Sequence, residues 1–245
     1  MTYVFEASNV RCSIMVDNER RTIFSGLSFA IEAGEIVDLI GPSGAGKSSL
    51  LTAFAQLNPR ADGDYKLEGR SASDFTPQQW RAQVAYLPQK PVLLGETVSQ
   101  AIRLPFTLAI RQASKSKSRK TSPVSALPNT EIRKTLDGMG CADIDLNRPP
   151  HDLSGGQAAR VSLARTLLTR PKVLLADEVD AGLDDENADK VARILADAAA
   201  DGMAIVRIRH RPADGHASRI MRLANGTLTP VEAATAKSES ERSAA

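Results

Sequence analysis

The sequence predicts an α/β fold with a mainly parallel sheet and β-rich material at its N-terminus. Three observations carry that reading. Short apolar runs alternate with stretches of helical spacing through most of the 245 residues, the pattern of strand–helix–strand units. The stretch GPSGAGKS at 41–48 lies between one such run and a helical pattern. The run KVLLADE at 172–178 is apolar and ends in two carboxylates.

The elements follow in order. YVFEA at 3–7 alternates and reads as a strand, and 12–35 reads as further strands around a polar hairpin at 17–21. EIVDLI at 35–40 is a short strand running into glycines. KSSLLTAFAQL at 47–57 has helical spacing, with Leu50, Leu51, Phe54 and Leu57 on one face. QVAYLPQ at 83–89 is a strand closed by Pro88. Residues 96–111 and 130–140 read as helices. Between them the Ser/Lys-rich stretch with two prolines at 112–130 reads as a mobile loop or insertion. A helix at 154–169, a strand KVLLAD, a helix at 186–202 and a strand MAIVRI come next. RIMRLANGTLTPVE at 219–232 reads as a hairpin around Asn225-Gly226. The tail, 231–245, is expected to be disordered.

A hydrophobic share of 42%, a charged share of 24% and a net charge of +2 describe a soluble globular chain with no demand for a polyanionic partner. Cys12 and Cys141 stand in no metal-type spacing and read as free thiols of a reducing compartment. The N-terminus lacks the basic and apolar regions of a signal peptide, and no run is long enough to span a membrane. Any membrane role is therefore expected to come through a partner.

GPSGAGKS matches the phosphate-loop pattern in full and in the required context. The loop Gly41, Pro42, Ser43, Gly44, Ala45, Gly46, with Ser49 after it, is expected to bind phosphate, its glycines letting backbone N–H groups curl around the oxygens. Lys47 is expected to reach the β- and γ-phosphates and Ser48 to ligate Mg²⁺. At the second acidic strand end, Asp177 is expected to hold the Mg²⁺ shell and Glu178 to activate the attacking water. DLSGGQAARVSLAR at 152–165 sets two glycines at the mouth of a helix, each about 1 kcal/mol worse than alanine. A helix start is an anion site. Ser154 suits its N-cap, and Gly155 and Gly156 let a ligand approach the backbone.

The order of these parts resembles ABC-type ATPases, over about residues 3–228, with LSGGQ as the most specific mark. The resemblance implies a RecA-like phosphate-loop core, an N-terminal antiparallel β-subdomain and an inserted helical subdomain. It divides a single domain, 1–230, into β-subdomain strands (1–35), the first half of the core (36–90), the helical subdomain with its polar insertion (91–165) and the second half of the core (166–230). It makes Gln89 the family's glutamine, a ligand of Mg²⁺ and part of the catalytic set with Lys47, Glu178 and the switch histidine, His210. It makes Asp184 the aspartate of the loop after the acidic strand. It also implies that two copies pack head to tail, so that Ser154, Gly155, Gly156 and Gln157 of one chain face the γ-phosphate held by the other. ATP would then drive closure of the dimer and hydrolysis its release.

The sequence departs from the family at two places. The region expected to stack an aromatic ring on the adenine, about Cys12–Ile14, holds none, which leaves weak affinity or an aliphatic platform. Asp38 lies in the buried strand that feeds the phosphate loop, where an unpaired carboxylate costs several kcal/mol. Counting back from the strand ends sets it level with Arg207, so a pair with Arg207, or failing that with Arg209, is expected.

The resulting expectation is an ATP-hydrolysing subunit of an ABC transporter. It would be cytoplasmic, peripheral on the inner membrane face through separate permease subunits, with no nucleic-acid partner. PVLLGETVSQAIRLPF at 91–106 is similar to iron- or metal-export ATPase subunits. The alternatives are a soluble ABC ATPase acting on nucleic acid or ribosomes and a module that binds nucleotide without hydrolysis. The first is disfavoured by the single ATPase unit without heptads, the second by the presence of Gln89, Glu178 and His210.

Overall fold

The computed structural model describes residues 2–109 and 127–231. Most of the expected mobile stretch, 112–126, and the expected disordered tail beyond 231 therefore lie outside the described residues. In chain order the elements are β1 (Tyr3–Val16), β2 (Glu19–Glu32), β3 (Ile36–Ile40), α1 (Lys47–Phe54), β4 (Ala61–Leu67), β5 (Arg70–Ser71), α2 (Pro77–Gln83) and β6 (Val84–Leu87). They continue with α3 (Val98–Thr107), α4 (Asn129–Gly138), α5 (Gly155–Leu168), β7 (Val173–Asp177), α6 (Asp185–Ala200), β8 (Ala204–Ile208), β9 (Arg219–Ala224) and β10 (Thr227–Val231).

Two sheets result. The first is antiparallel, in the order β2-β1-β4-β5. Its β1–β2 hairpin turns on Asp17 and Asn18, with φ of 49° and 66°, the paired positive φ that suits the twist of a two-residue hairpin. The second sheet runs β10-β9-β3-β8-β7-β6, parallel throughout except for the β9–β10 hairpin at Asn225-Gly226. β7 and β8 are buried along their whole length. That is why they read as continuous rather than alternating apolar runs.

The sheets and helices enclose two cores. One joins the antiparallel sheet to α1 and one face of the parallel sheet, through Phe5, Leu50, Leu51, Phe54, Trp80, Leu175 and Val206. Phe5 and Phe54 meet with ring centroids 5.1 Å apart, and Trp80 Nε1 donates to Phe54 O at 2.9 Å. Each of these fully buried rings contributes on the order of 1.5–3 kcal/mol. The other core covers the opposite face with α3, α4, α5 and α6, through Ile36, Ile102, Leu136, Val161, Leu174, Val191 and Ile205.

Two readings change. Leu57 was expected on the buried face of α1, but the helix ends at Phe54 and Gln56 turns left-handed (φ 53°). Leu57 is thereby carried off the helix and is 46% exposed. Residues 58–83, which the hydrophobic pattern left without an element, form β4, β5 and α2. The antiparallel sheet thus draws strands from inside the stretch 36–90 as well as from 1–35.

Asp38 pairs with Arg207. The two face each other in the β3–β8 register, and Arg207 Nε donates to Asp38 Oδ1 at 2.5 Å, with both side chains no more than 4% exposed. Arg207 Nη2 also donates to Asp214 Oδ1 at 2.7 Å. Burial pushes the Asp38 carboxyl up, and Arg207 offsets this only in part. Burial acts the same way on Asp214, but there Arg207, the His216 N–H and Arg209 prevail and hold the carboxyl down at about 2.

A prediction about acid follows. A carboxyl depressed from 3.8 to about 2 in the fold stabilises the protein by about 2 kcal/mol above the unfolded value. That contribution is lost as pH falls from about 4 to about 2. Asp38, shifted upward, works in the opposite sense. Denaturant midpoints measured across this range are expected to fall in wild type. In Asp214→Asn they start lower, because the buried arginines lose a partner, and slope less.

Candidate functional site

The parallel strands β3, β6, β7 and β8 all end on the same edge of the sheet, and the candidate residues lie just beyond those ends. After β3 the chain passes through 41–46 into α1. Two glycines there are sterically required. Gly41 has φ 150°, and a Cβ on it would sit 2.1 Å from Leu223 O. Gly46 caps α1 with φ 95°, and a Cβ on it would sit 2.5 Å from Ile23 Cγ2. The loop is thus pressed between β9 and β2, with no room for side chains there.

Lys47 opens α1 and folds back into the loop, where Nζ donates to Gly41 O at 2.9 Å and Pro42 O at 3.0 Å. It is only 7% exposed, and among the described residues it has no acidic partner. A buried ammonium held by carbonyl dipoles alone is costly. Beside the unpaired N–H groups of a helix start that carries no acidic residue in its first turn, it makes a site for an anion. Ser48 lies exposed on that first turn, and Ser49 is half-buried beside it.

The end of β7 gathers three of the expected residues. Glu178, in a left-handed conformation (φ 52°), takes a hydrogen bond from Gln89 Nε2 at 2.7 Å on Oε2. Its Oε1 lies 2.8 Å from His210 Nε2. Gln89 follows β6 and His210 follows β8, so three neighbouring strand ends converge on one carboxylate. Asp177, buried at the last position of β7, accepts from Tyr86 OH at 2.9 Å. Burial, and then this acceptor, push the Tyr86 phenol up. The sequence reading missed Tyr86, which looked like one more apolar position of its strand.

Ser154, Gly155, Gly156 and Gln157 form the start of α5. Ser154 is the N-cap: its Oγ accepts from Gln157 N at 3.2 Å, and Gln157 Oε1 accepts from Ser154 N at 3.1 Å. A Cβ on Gly155 would meet nothing within 4 Å, so this helix tip is open to the outside. The hydrogen bonds of the described residues 154–157 run within the tip, along its own helix, and to Asp143 and Arg160. Within one chain none of them reaches 41–48.

Asp184 caps α6, accepting from Asn187 N at 2.8 Å and Asn187 Nδ2 at 2.7 Å. These bonds, the backbone one first, hold its carboxyl below the usual range. Arg160, also missed in sequence, connects the two helix starts. It donates to Gly156 O, Met139 O and Asn187 Oδ1 from an almost buried position.

Cys12 and Cys141 are free and buried. No helix among the described residues is long and apolar enough to cross a membrane. Cys12 and Phe24 pair across β1 and β2, and Phe24 is buried, so neither offers an exposed ring for a base.

Comparison with known proteins places these features in context. Residues 24–181 match the family model described as ABC transporter. The macrolide export ATP-binding/permease protein MacB of Salmonella typhimurium (strain LT2) is 31% identical over 93% of this chain; the chain spans 34% of that protein's length. The probable iron export ATP-binding protein FetA of Escherichia coli (strain K12) is 34% identical over 71% of both chains. The solved dimeric structure of a post-hydrolysis state of the ATP-binding cassette MJ0796, bound to ADP and Pi, matches with a TM-score of 0.74. It does so over 91% of this chain and 96% of its own, at 24% identity, a likeness of fold.

Proposed function

This chain belongs to the ABC transporter family of ATP-binding proteins, and on that premise we propose that it binds ATP between two copies of itself and hydrolyses it to drive transport through separate membrane subunits. The observation that carries the reading is Glu178, fixed between Gln89 and His210 at the end of β7. A carboxylate with both oxygens oriented by neighbours is suited to accept a proton from an attacking water. Lys47, a buried cation without an acidic partner, supports a phosphate ligand at 41–48. Gly41, Pro42, Ser43, Gly44, Ala45, Gly46, Ser48 and Ser49 complete the cradle around it.

The donors fit a hard cation. The Asp177 carboxylate, the Ser48 hydroxyl and the Gln89 amide oxygen are all oxygen ligands of the kind Mg²⁺ takes together with substrate phosphates. No group of three or more His, Cys, Asp or Glu able to hold a metal ion occurs among the described residues. When bound, such an ion neutralises phosphate charge. The protein's own part is to set Glu178 and His210 at the reacting end and to hold Lys47 Nζ inside the loop against Gly41 O and Pro42 O.

The second half of the site is assigned to the partner copy. The open tip at Ser154, Gly155, Gly156 and Gln157, and the Asp184 turn beside it, are proposed to meet the nucleotide of the opposite chain. The docking face for the membrane subunit is assigned to a groove of about 530 Å³ whose lining includes Leu57, Tyr86, Pro105, Leu108 and Arg165. Leu108 in that lining is exposed, and so is Val92, whose carbonyl accepts from Arg165 Nη1. The chain is then held at the cytoplasmic membrane face by its partner. The two named relatives are export proteins, which favours an export system whose cargo the membrane subunit selects.

Self-association tests this reading. With Glu178→Gln to block turnover, light scattering is expected to report a doubling of mass on adding ATP and Mg²⁺, reversed by chelation. A mass that stays monomeric, alone and with the co-expressed membrane subunit, refutes it.

A further inference from the structure

His210 stands between Arg209 and Arg211, and in sequence the three suggest a small basic patch. The structure uses both arginines otherwise. Arg209 is 7% exposed, and its Nη2 donates to Pro212 O at 3.2 Å. Its Nη1 donates to Asp214 Oδ2. Its Nε lies 3.3 Å from Asp180 Oδ2, two residues past Glu178, an ion pair that makes no hydrogen bond. Arg211 reaches the same neighbouring segment from the other side. Its Nη2 donates to Leu183 O at 2.7 Å and its Nη1 to Asp185 Oδ1 at 3.1 Å. The loop that carries His210 is therefore fastened on both flanks to the loop that carries Glu178, and the His210–Glu178 contact at 2.8 Å lies between the two fastenings.

We propose that Arg209 and Arg211 are positioning residues that clamp the 209–214 loop to the 178–185 loop and so hold His210 on Glu178. The proposal rests on the hydrolytic reading above. Neither arginine touches the reacting atoms; each acts through the loop it fastens. Arg209 is continuous with the buried group Arg207, Asp214 and Asp38, so the inner fastening is anchored in β3, the strand that leads into the phosphate loop. Arg211 is the outer fastening. Its acidic partner Asp185 is 99% exposed in its side chain, so that ion pair adds little to stability. The bond to Leu183 O fixes geometry instead, and small misplacements of catalytic groups lower rates steeply. A lysine cannot make both Arg211 contacts with one planar group.

Arg211→Ala is the decisive variant, since its removal spares the buried network. It is expected to lower kcat about tenfold, to leave KM for ATP within about twofold, and to leave the melting temperature and the ATP-driven association of the Glu178→Gln chain unchanged. Arg211→Lys should fall between. In a His210→Ala background Arg211→Ala should have no further effect, because the contact it serves is gone. A second readout does not need turnover: the ring signals of His210 in NMR spectra are expected to respond to Glu178→Gln in wild type and to stop responding in Arg211→Ala. An unchanged kcat, an effect that persists without His210, or a His210 response retained in Arg211→Ala overturns the clamp. A wild-type chain that never hydrolyses ATP refutes the hydrolytic reading, and the NMR response then decides the clamp by itself.

Discussion

Replacing Glu178 by glutamine is expected to lower ATP turnover on the order of 10²–10⁴-fold, the usual contribution of a positioned general base. Glutamine has nearly the same shape and keeps one oxygen, so one of the contacts made to Gln89 and His210 can survive. What is lost is the negative charge proposed to accept the proton. KM for ATP should change little, because Glu178 is not part of the 41–48 cradle. Steady-state phosphate release at saturating ATP, with KM determined alongside, checks both halves. A variant with unchanged kcat would remove Glu178 from the reaction. One with an unchanged kcat but a raised KM would move it to binding.

The second large effect concerns folding. Gly41→Ala should destabilise the chain by about 4 kcal/mol, combining backbone strain with overpacking. The added methyl would lie 2.1 Å from a backbone oxygen, Leu223 O, at φ 150°. Leu223 belongs to β9, which is bonded to β3 on one side and β10 on the other, so neither backbone can withdraw without breaking the sheet. For a domain of this size the melting temperature is expected to drop by roughly 8–16 °C. Gly155→Ala is the contrasting case. Its methyl meets nothing within 4 Å, so its melting temperature should hold while ATP-driven association weakens. Thermal unfolding of the two variants side by side separates a glycine required by the fold from one proposed to be required by the partner.

The parts of the fold that were legible in sequence are those in which one local signal sufficed. β7 and β8 are buried along their length and apolar but for Asp177 and Arg207. The β9–β10 hairpin has an Asn-Gly turn, and Ser154 with Gln157 spells a capping box. The β4–β5 hairpin was not legible because Glu68 takes the left-handed turn position ahead of Gly69, with φ of 50° and 75°, where asparagine or aspartate would have signalled it. Leu57 misled because its helical spacing is correct while the helix stops three residues earlier.

The candidate site was readable as a set of residue types in a set order. The Asp38–Arg207 pair could be reached by counting along two strands. Tyr86, Arg160 and the two fastenings beside His210 could not be. Each depends on which side chains meet between elements far apart in the chain, and no local motif around these residues records that.

The Asp38–Arg207 pair also bears on how the chain finds its shape. Two opposite charges face each other on adjoining strands otherwise made of interchangeable aliphatic residues. Sliding one strand past the other by a single step would turn the carboxylate and the guanidinium toward opposite sides. Sliding by two would leave both on the same side but out of reach, each bare in a medium that tolerates neither. The pair therefore works as a key cut for one alignment, and it penalises mismatched alignments of β3 with β8.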